Sequence, residues 1–373
     1  MKAPRIVQPL LAAALLVFPA AAPAGLVLAA QGRLEGTLSI QPGAIQAGST
    51  SIKWADVLLA LNENRGSAPA SPNAVHLKSG EVWAGTIAKV QGGRITLQSP
   101  SFGLREIDIT QVRAIDFAPA PPLTGKERAG TLYRLKASPV PGKLLWVQAE
   151  RVAIDSALGA IALERKDLQR YVFEAAPQAA AASTDDEITL ADGSILRGRV
   201  EATQAGLALK HPTLGDLVIR PDAWQSVRRH SAAAACLADL PPASVETFPL
   251  IRRPADPPRV EHPQPGGPAG FVTRINIWPR SVITYRLPGE PGGKVLVTAG
   301  VGLTDGSRGS ARVSFRLGEK VVFDQVLAPG AERPVPVSFE APAASDLKLE
   351  VDFDKSIRFP CTVALDDALL VRK

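Results

Sequence analysis

The chain has 373 residues with a formal net charge of +6, and it is 46% hydrophobic and 21% charged. This length suggests two to four domains, and the hydrophobic content is sufficient for well-formed cores. Lys2 and Arg5 belong to the leader described next, so the charge of the remaining chain is only about +4. A charge so low and so dispersed excludes a nucleic-acid-binding surface, and we expect no nucleic-acid partner.

Residues 1–30 have the pattern of an export leader. A basic start is followed by the apolar run Leu10–Phe18 and by small residues from Ala20 to Ala30 that offer several cleavage sites. A retained membrane anchor is the alternative, but it requires about twenty unbroken apolar residues, and Pro19 and Pro23 interrupt the run. We therefore expect export to the periplasm or the extracellular space, with no membrane span after leader cleavage.

The next part of the chain carries an internal repeat. The stretch Leu77-Lys-Ser-Gly80-Glu-Val82-Trp-Ala-Gly85-Thr-Ile87 returns as Leu190-Ala-Asp-Gly193-Ser-Ile195-Leu-Arg-Gly198-Arg-Val200. Each copy reads as a strand, a glycine turn and further strands with an apolar residue at every second position. Two diverged copies complete the set, and the four predicted units are residues 31–64, 74–118, 126–174 and 186–230.

Four or five short strands in each unit are typical of a small SH3-like barrel. A unit of this size buries little surface, so we expect neighbouring copies to pack together. Pro/Ala-rich segments at residues 65–72, 118–122 and 174–184 separate the units, and the repeat is no longer detectable after His230.

Residues 236–373 have a different pattern, with longer strands. Apolar and polar residues alternate in Val282–Leu287, Val295–Thr298 and Val313–Leu317. This period of two indicates antiparallel sheets with one buried face each, and two such sheets form a β-sandwich. The predicted fold class is therefore all-β, with tandem small SH3-like barrel repeats followed by a jelly-roll-like β-sandwich.

Six segments of this region resemble the NPCBM family of carbohydrate-binding modules. In chain order they are Leu237–Leu250, Ile275–Leu287, Val301–Asp305, Val313–Gly318, Leu347–Phe353 and Asp366-Asp367-Ala368. The resemblance implies a jelly-roll-like sandwich that binds glycans, often as an accessory to secreted glycosidases. The chain departs from the family at Trp278, where the family has His, at Leu365, where it has Trp, and at Phe271–Arg274, which replaces a Lys-Gly-Leu-Gly segment.

Sugar-binding sites place an aromatic face against the apolar side of the ring and charged groups against its hydroxyls. Trp278 lies in a loop before Pro279 and is the candidate stacking residue, with Arg280, Asp305 and Arg308 as candidate polar contacts. The alternative is that Trp278 caps the sandwich core and that the charged residues are solvated loop residues.

One acidic group is a candidate metal site. Asp352, Asp354, Asp366 and Asp367 supply the oxygen ligands that calcium prefers, although no calcium-loop motif accompanies them. A structural calcium ion is the one cofactor that the sequence suggests.

The chain has two cysteines, Cys236 and Cys361. Export to an oxidising compartment permits a disulfide between them, and two unpaired buried thiols are the alternative.

The sequence contains no recognised catalytic motif, and its four histidines are scattered. We therefore expect a non-enzymatic carbohydrate-binding protein whose partner is a polysaccharide or glycan. The alternative is a structural or protein-interaction module of the cell envelope that contacts envelope proteins. An enzyme would require two facing carboxylates in a cleft.

Overall fold

The computed structural model describes residues 25–62, 71–121, 123, 127–174, 185–230, 234–248, 258–261, 273–330, 334–354 and 357–373. Within these ranges the chain is built from strands, and the helical elements are 3₁₀ turns of three residues, Trp54–Asp56, Ile109–Gln111, Arg165–Asp167 and Leu237–Asp239. The predicted all-β class is confirmed. In the described part of the chain no helix is long and apolar enough to cross a membrane.

The N-terminal body, residues 25–230, contains four consecutive groups of strands. The first is β1 (Gly25–Ala29), β2 (Gly32–Gly36), β3 (Leu38–Gln41), β4 (Ala44–Ala47), β5 (Thr50–Lys53) and β6 (Val57–Leu61). The second is β7 (Asn73–Leu77), β8 (Val82–Gln91), β9 (Arg94–Ser99), β10 (Gly103–Asp108) and β11 (Val112–Asp116). The third is β12 (Thr131–Arg134), β13 (Val140–Pro141), β14 (Lys143–Val147), β15 (Arg151–Ser156), β16 (Gly159–Glu164) and β17 (Leu168–Val172). The fourth is β18 (Asp186–Leu190), β19 (Ile195–Thr203), β20 (Gly206–His211), β21 (Gly215–Ile219) and β22 (Trp224–Arg228).

The predicted leader overlaps the first of these strands. Residues 1–24 lie outside the described residues, but Gly25–Ala29 form β1.

The four groups join through equivalent strands. The last strand of the first group pairs with that of the fourth, β6 with β22, and β11 of the second group pairs with β17 of the third. The second and fourth groups meet where Val82 of β8 pairs with Ile195 of β19. One hydrophobic core, which includes Ile115 and Trp224, runs through all four groups.

The repeated glycine of the sequence pattern lies where two strands approach closely. A Cβ added at Gly85 would stand 2.4 Å from the carbonyl oxygen of Gln98, and one at Gly198 would stand 2.3 Å from that of Lys210. Gly142 occupies the corresponding place in the third group. These glycines are therefore required by packing between strands rather than by a turn.

A buried ion pair connects the second and third groups. Arg170 of β17 donates to both oxygens of Asp116 in β11, at 2.9 Å for the Nη2 contact, and His76 Nε2 lies 2.7 Å from Asp116 Oδ2. Burial by itself would raise the pKa of Asp116, but the hydrogen bonds from Arg170 and His76 outweigh it and hold the pKa below its usual value.

A second buried pair connects the second and fourth groups. His211 Nδ1 accepts hydrogen bonds from the backbone N–H groups of Thr213 and Leu214, so its Nε2 donates to Glu81, at 2.6 Å. Burial alone would raise the pKa of Glu81, but the hydrogen bonds from His211 and from the backbone N–H of Arg197 keep it below its usual value.

The C-terminal body is a sandwich of two sheets. The six-stranded sheet contains β23 (Ala234–Cys236), β25 (Arg259–Glu261), β26 (Arg274–Ile277), β28 (Lys294–Leu303), β31 (Val335–Pro342) and β33 (Val363–Arg372). The five-stranded sheet contains β24 (Ser244–Thr247), β27 (Ser281–Arg286), β29 (Ala311–Leu317), β30 (Lys320–Leu327) and β32 (Asp346–Phe353). Their alternating apolar residues, among them Ile283, Val297 and Phe315, form the core between them.

The outer face of the six-stranded sheet packs against the N-terminal body. The contact is an apolar cluster of Leu26, Leu28, Leu58 and Leu59 from β1 and β6 with Ala234, Cys236 and Leu369 from β23 and β33. Ion pairs Arg228–Asp239, at 2.5 Å, and Arg33–Asp367, at 3.4 Å, flank it. The two bodies are therefore joined by a small core of their own.

The predicted disulfide is absent, and Cys236 and Cys361 are both buried free thiols. Cys236 pairs with Leu369 and belongs to the cluster between the two bodies, whereas Cys361 precedes Val363 and belongs to the sandwich core. Six residues of β33, roughly 20 Å of extended chain, separate these two places. A disulfide requires Cα atoms within about 7 Å.

Candidate functional site

Three loops meet at one end of the sandwich. Residues 278–280 connect β26 to β27, residues 304–310 connect β28 to β29, and residues 354–362 connect β32 to β33. Val363 pairs with both Ile277 and Leu303, which places the beginnings of the first two loops beside the end of the third. We call this region the loop end of the sandwich.

Backbone hydrogen bonds hold the second and third loops together. The N–H of Thr304 donates to the carbonyl of Thr362 at 2.9 Å, and that of Arg308 donates to the carbonyl of Pro360 at 2.8 Å. A Cβ at Gly309 would stand 2.4 Å from the carbonyl oxygen of Arg358, so only glycine allows this approach. The second and third loops are thus held to each other in their described residues.

The structure places all four predicted sugar-contacting residues at the loop end. Trp278 and Arg280 belong to the first loop and are half-buried, and Arg280 adopts a positive φ of 65°. Asp305 and Arg308 belong to the second loop and are exposed. The guanidinium of Arg259 lies 5.9 Å from the centroid of the Trp278 ring and occupies one side of the indole.

Aromatic residues that the sequence interpretation missed also lie at the loop end. Phe359 is 57% exposed, and its ring meets that of Phe353 edge-on at 5.4 Å. Phe248 is 49% exposed, and its N–H donates to the carbonyl of Arg280. A sequence signal for Phe359 existed, because Phe359-Pro360 repeats the pattern of Trp278-Pro279, an aromatic residue before proline and outside the strand alternation.

Charged groups lie beside this surface. Arg274 donates to both oxygens of Asp366, at 2.6 and 2.9 Å. Burial lowers the pKa of Arg274, but its hydrogen bonds to Asp366 and the nearby carboxylates of Glu261 and Asp305 outweigh burial and raise the pKa. Asp305 is therefore close enough to add to the field of this pair.

The predicted calcium ligands are not brought together. Asp352 and Asp354 lie on and after β32 of one sheet, whereas Asp366 and Asp367 lie on β33 of the other. Asp366 is engaged by Arg274, and Asp367 accepts from the backbone N–H of Thr273, at 2.8 Å. In the ranges that the structure describes, no three His, Cys, Asp or Glu residues are grouped as a metal site. Pairing within separate sheets, which the sequence does not reveal, disperses the four carboxylates.

A cleft lies elsewhere, between the second and fourth strand groups. Its volume is about 620 Å³, and Pro100, Ser101, Asp192 and Leu217 are among its lining residues. Asp192 is buried and already accepts hydrogen bonds from the Ser101 hydroxyl and the Ser194 N–H, so its carboxylate is satisfied without a ligand.

No protein-family model matches the chain, and no curated protein matches it. Among solved structures, it is similar to the family 51 carbohydrate-binding module of Clostridium perfringens GH95 in complex with methyl-galactose, at 18% identity and a TM-score of 0.28, over 37% of this chain and 99% of that one. It is also similar to the tandem family 51 modules of a family 98 glycoside hydrolase from Streptococcus pneumoniae, at 11% identity and a TM-score of 0.29, over 77% of this chain and 99% of that one.

A third similar structure is the tandem family 22 carbohydrate-binding modules of Paenibacillus barcinonensis Xyn10C, at 10% identity and a TM-score of 0.26, over 83% of this chain and all of that one. At TM-scores this low, the similarity fixes neither the fold nor the ligand of this chain.

Proposed function

We propose that the protein is an exported, non-enzymatic carbohydrate-binding protein whose sandwich binds a polysaccharide or glycan at the loop end. The strand groups of the N-terminal body serve as a scaffold for the sandwich. The observation that carries the proposal is the exposed ring of Phe359 on a loop surface that also presents Trp278, Asp305 and Arg308.

The chemistry of this surface suits a sugar. The face of a pyranose ring is apolar and packs on an aromatic ring, while its hydroxyls accept from guanidinium groups and donate to carboxylates. Backbone hydrogen bonds already fix the second and third loops, so little loop ordering is required on binding.

The proposal assigns no reaction to the protein. Two histidine–carboxylate pairs lie in the N-terminal body: His76–Asp116 lies within the second strand group, and His211–Glu81 connects the fourth group to the second. Neither pair belongs to the loop end.

A binding panel with matched variants tests the proposal. The full-length chain is applied to immobilised polysaccharides, and affinities are measured for any that retain it. Phe359→Ala and Trp278→Ala should each weaken binding by about 1 to 3 kcal/mol, the scale of one lost aromatic contact, or roughly 5- to 150-fold.

Val321→Ala is the control, because Val321 is 43% exposed on β30, at the opposite end of the sandwich. It should bind like the wild type. If the folded wild-type chain binds nothing in the panel, or if the two aromatic variants bind as well as Val321→Ala, the proposal fails.

One observation favours a second candidate, a structural or protein-interaction module of the cell envelope. The sandwich packs against the N-terminal body through the apolar cluster that includes Leu28 and Leu369. On this hypothesis the packing itself is the role of the sandwich. Separating the bodies would expose the cluster and reduce solubility, and the intact chain would bind no glycan.

A further inference from the structure

The N-terminal body begins with a strand that it cannot lose. All five residues of β1, Gly25–Ala29, are buried, and Val27, Leu28 and Ala29 are fully inaccessible. β1 pairs with β2 on one side and β6 on the other, so it is an interior strand. Its two faces contribute to two cores, because Val27 packs into the N-terminal body and Leu26 and Leu28 pack against the sandwich.

This strand limits where a leader can be cut. A cut after Ala30 would remove β1 and leave an unpaired edge on both β2 and β6. The mature chain must therefore retain Gly25, and the cut must fall before it.

The sequence before Gly25 leaves one good site. Leader peptidases read small residues at the first and third positions before the cut. A cut after Ala22 or after Ala24 meets this requirement, whereas a cut after Ala20 or Ala21 has Phe18 or Pro19 at the third position. A cut after Ala22 would place Pro23 directly after the bond to be broken, where a proline lacks the N–H and the free φ of other residues.

We propose that a leader peptidase cuts the bond between Ala24 and Gly25, so that the mature chain starts with the first residue of β1. The step is a hydrolysis in which the C–N bond breaks, the hydroxyl of water joins the Ala24 carbonyl carbon, and the Gly25 nitrogen leaves as an amine. The inference rests on the export component of the proposed function and is independent of glycan binding.

The structure also determines when this cut is made. Gly25 is buried, and a Cβ added there would stand 2.2 Å from Leu38 Cγ, so no enzyme can enclose the residues after the bond while β1 is paired. Gly25–Ala29 are buried and paired, so a peptidase can take up these residues only when the strand is open. Cleavage therefore precedes the pairing of β1 with β2 and β6.

The first experiment expresses the full-length chain in a secreting bacterium and determines the N-terminal sequence and intact mass of the exported protein. The expected mature chain starts at Gly25. Ala24→Leu should leave the exported chain uncut at this bond, because a large residue replaces the small one before the cut. The same replacement at the end of the small-residue run, Ala30→Leu, should leave Gly25 as the first residue of the exported chain.

The outcomes of this experiment distinguish failure of the proposed cleavage site from failure of export. An exported chain that starts anywhere other than Gly25, or that keeps residues 1–24, overturns the proposed site and leaves export intact. A full-length chain retained in the cytoplasm overturns both export and the site. None of these results bears on glycan binding.

The second experiment tests the timing. Purified leader peptidase is added to the full-length chain, either folded or freshly diluted from urea. The unfolded chain should be cut at least about tenfold faster, because the folded chain must first open β1. Equal rates would overturn the inference that cleavage precedes pairing.

Discussion

Replacing Arg170 with methionine should strongly destabilise the N-terminal body. The guanidinium of Arg170 and the carboxylate of Asp116 are both buried, and the arginine donates to both carboxylate oxygens. Arg170→Met leaves Asp116 with His76 as its remaining side-chain partner. Removing one member of a buried pair costs about 3 to 5 kcal/mol, because the other charge is left without compensation.

The free energy of unfolding is measured by urea titration with tryptophan fluorescence. Four of the five tryptophans, Trp54, Trp83, Trp146 and Trp224, belong to the N-terminal body, so the signal reports mainly on this body. Asp116→Leu alone and the double variant Asp116→Leu/Arg170→Met complete a double-mutant cycle. The decrease in the free energy of unfolding of the double variant should be smaller than the sum of the decreases in the two single variants.

Arg94→Met is the matched control. Arg94 pairs with Glu106 at 3.1 Å, but both side chains are more than half exposed, and such pairs contribute less than about 1 kcal/mol. The reasoning is refuted if Arg170→Met lowers the free energy of unfolding no more than Arg94→Met does. It is also refuted if the decreases in the two single variants of the cycle add up to that of the double variant, because the buried pair would then not connect the second and third strand groups.

Two further predictions concern acid stability and the cysteines. The folded-state pKa values of Asp116 and Glu81 are below their unfolded values, so the stability they contribute is present above about pH 4 and is lost as the pH falls through the folded values. The melting temperature should fall below about pH 4, less steeply in Asp116→Asn, and a melting temperature that does not change with pH down to about 3 would contradict the role of these pairs. A thiol reagent should label neither cysteine in the folded protein and should label both Cys236 and Cys361 in denaturant without reductant, because both are buried free thiols. Failure to label them in denaturant would show that the two are joined by a disulfide.

The alternation of apolar and polar residues was enough to predict the strands. Ile283 and Tyr285 were predicted to face a core because they alternate with polar neighbours, and both are buried in the sandwich. The glycine turn predicted in each repeat copy is observed, because Gly80 and Gly193 adopt positive φ. Gly85 and Gly198 serve instead the close approach of another strand. The spacing of residues in the sequence shows the strand period and the residue types. It does not show which strand's backbone lies against a given glycine.

The candidate site was predicted in part. Trp278 and Asp305 are 27 residues apart in the chain, and sheet pairing places their loops at one end of the sandwich. Phe359 was missed because its exposure depends on how the loop before β33 leaves the core. The calcium set failed for a related reason, since Asp352 and Asp366 belong to different sheets.

The sequence by itself determined the all-β class, the internal repeat and the change of pattern after His230, because these follow from the local period of the side chains and from glycine positions. The tertiary structure decided which strands pair across groups, that Cys236 and Cys361 lie in different cores, and that Gly25–Ala29 belong to the folded body. These features depend on contacts between residues far apart in the chain. A buried strand such as β1 and an export leader are both apolar, because each moves from water into an apolar environment. Only the partners of that strand distinguish the two.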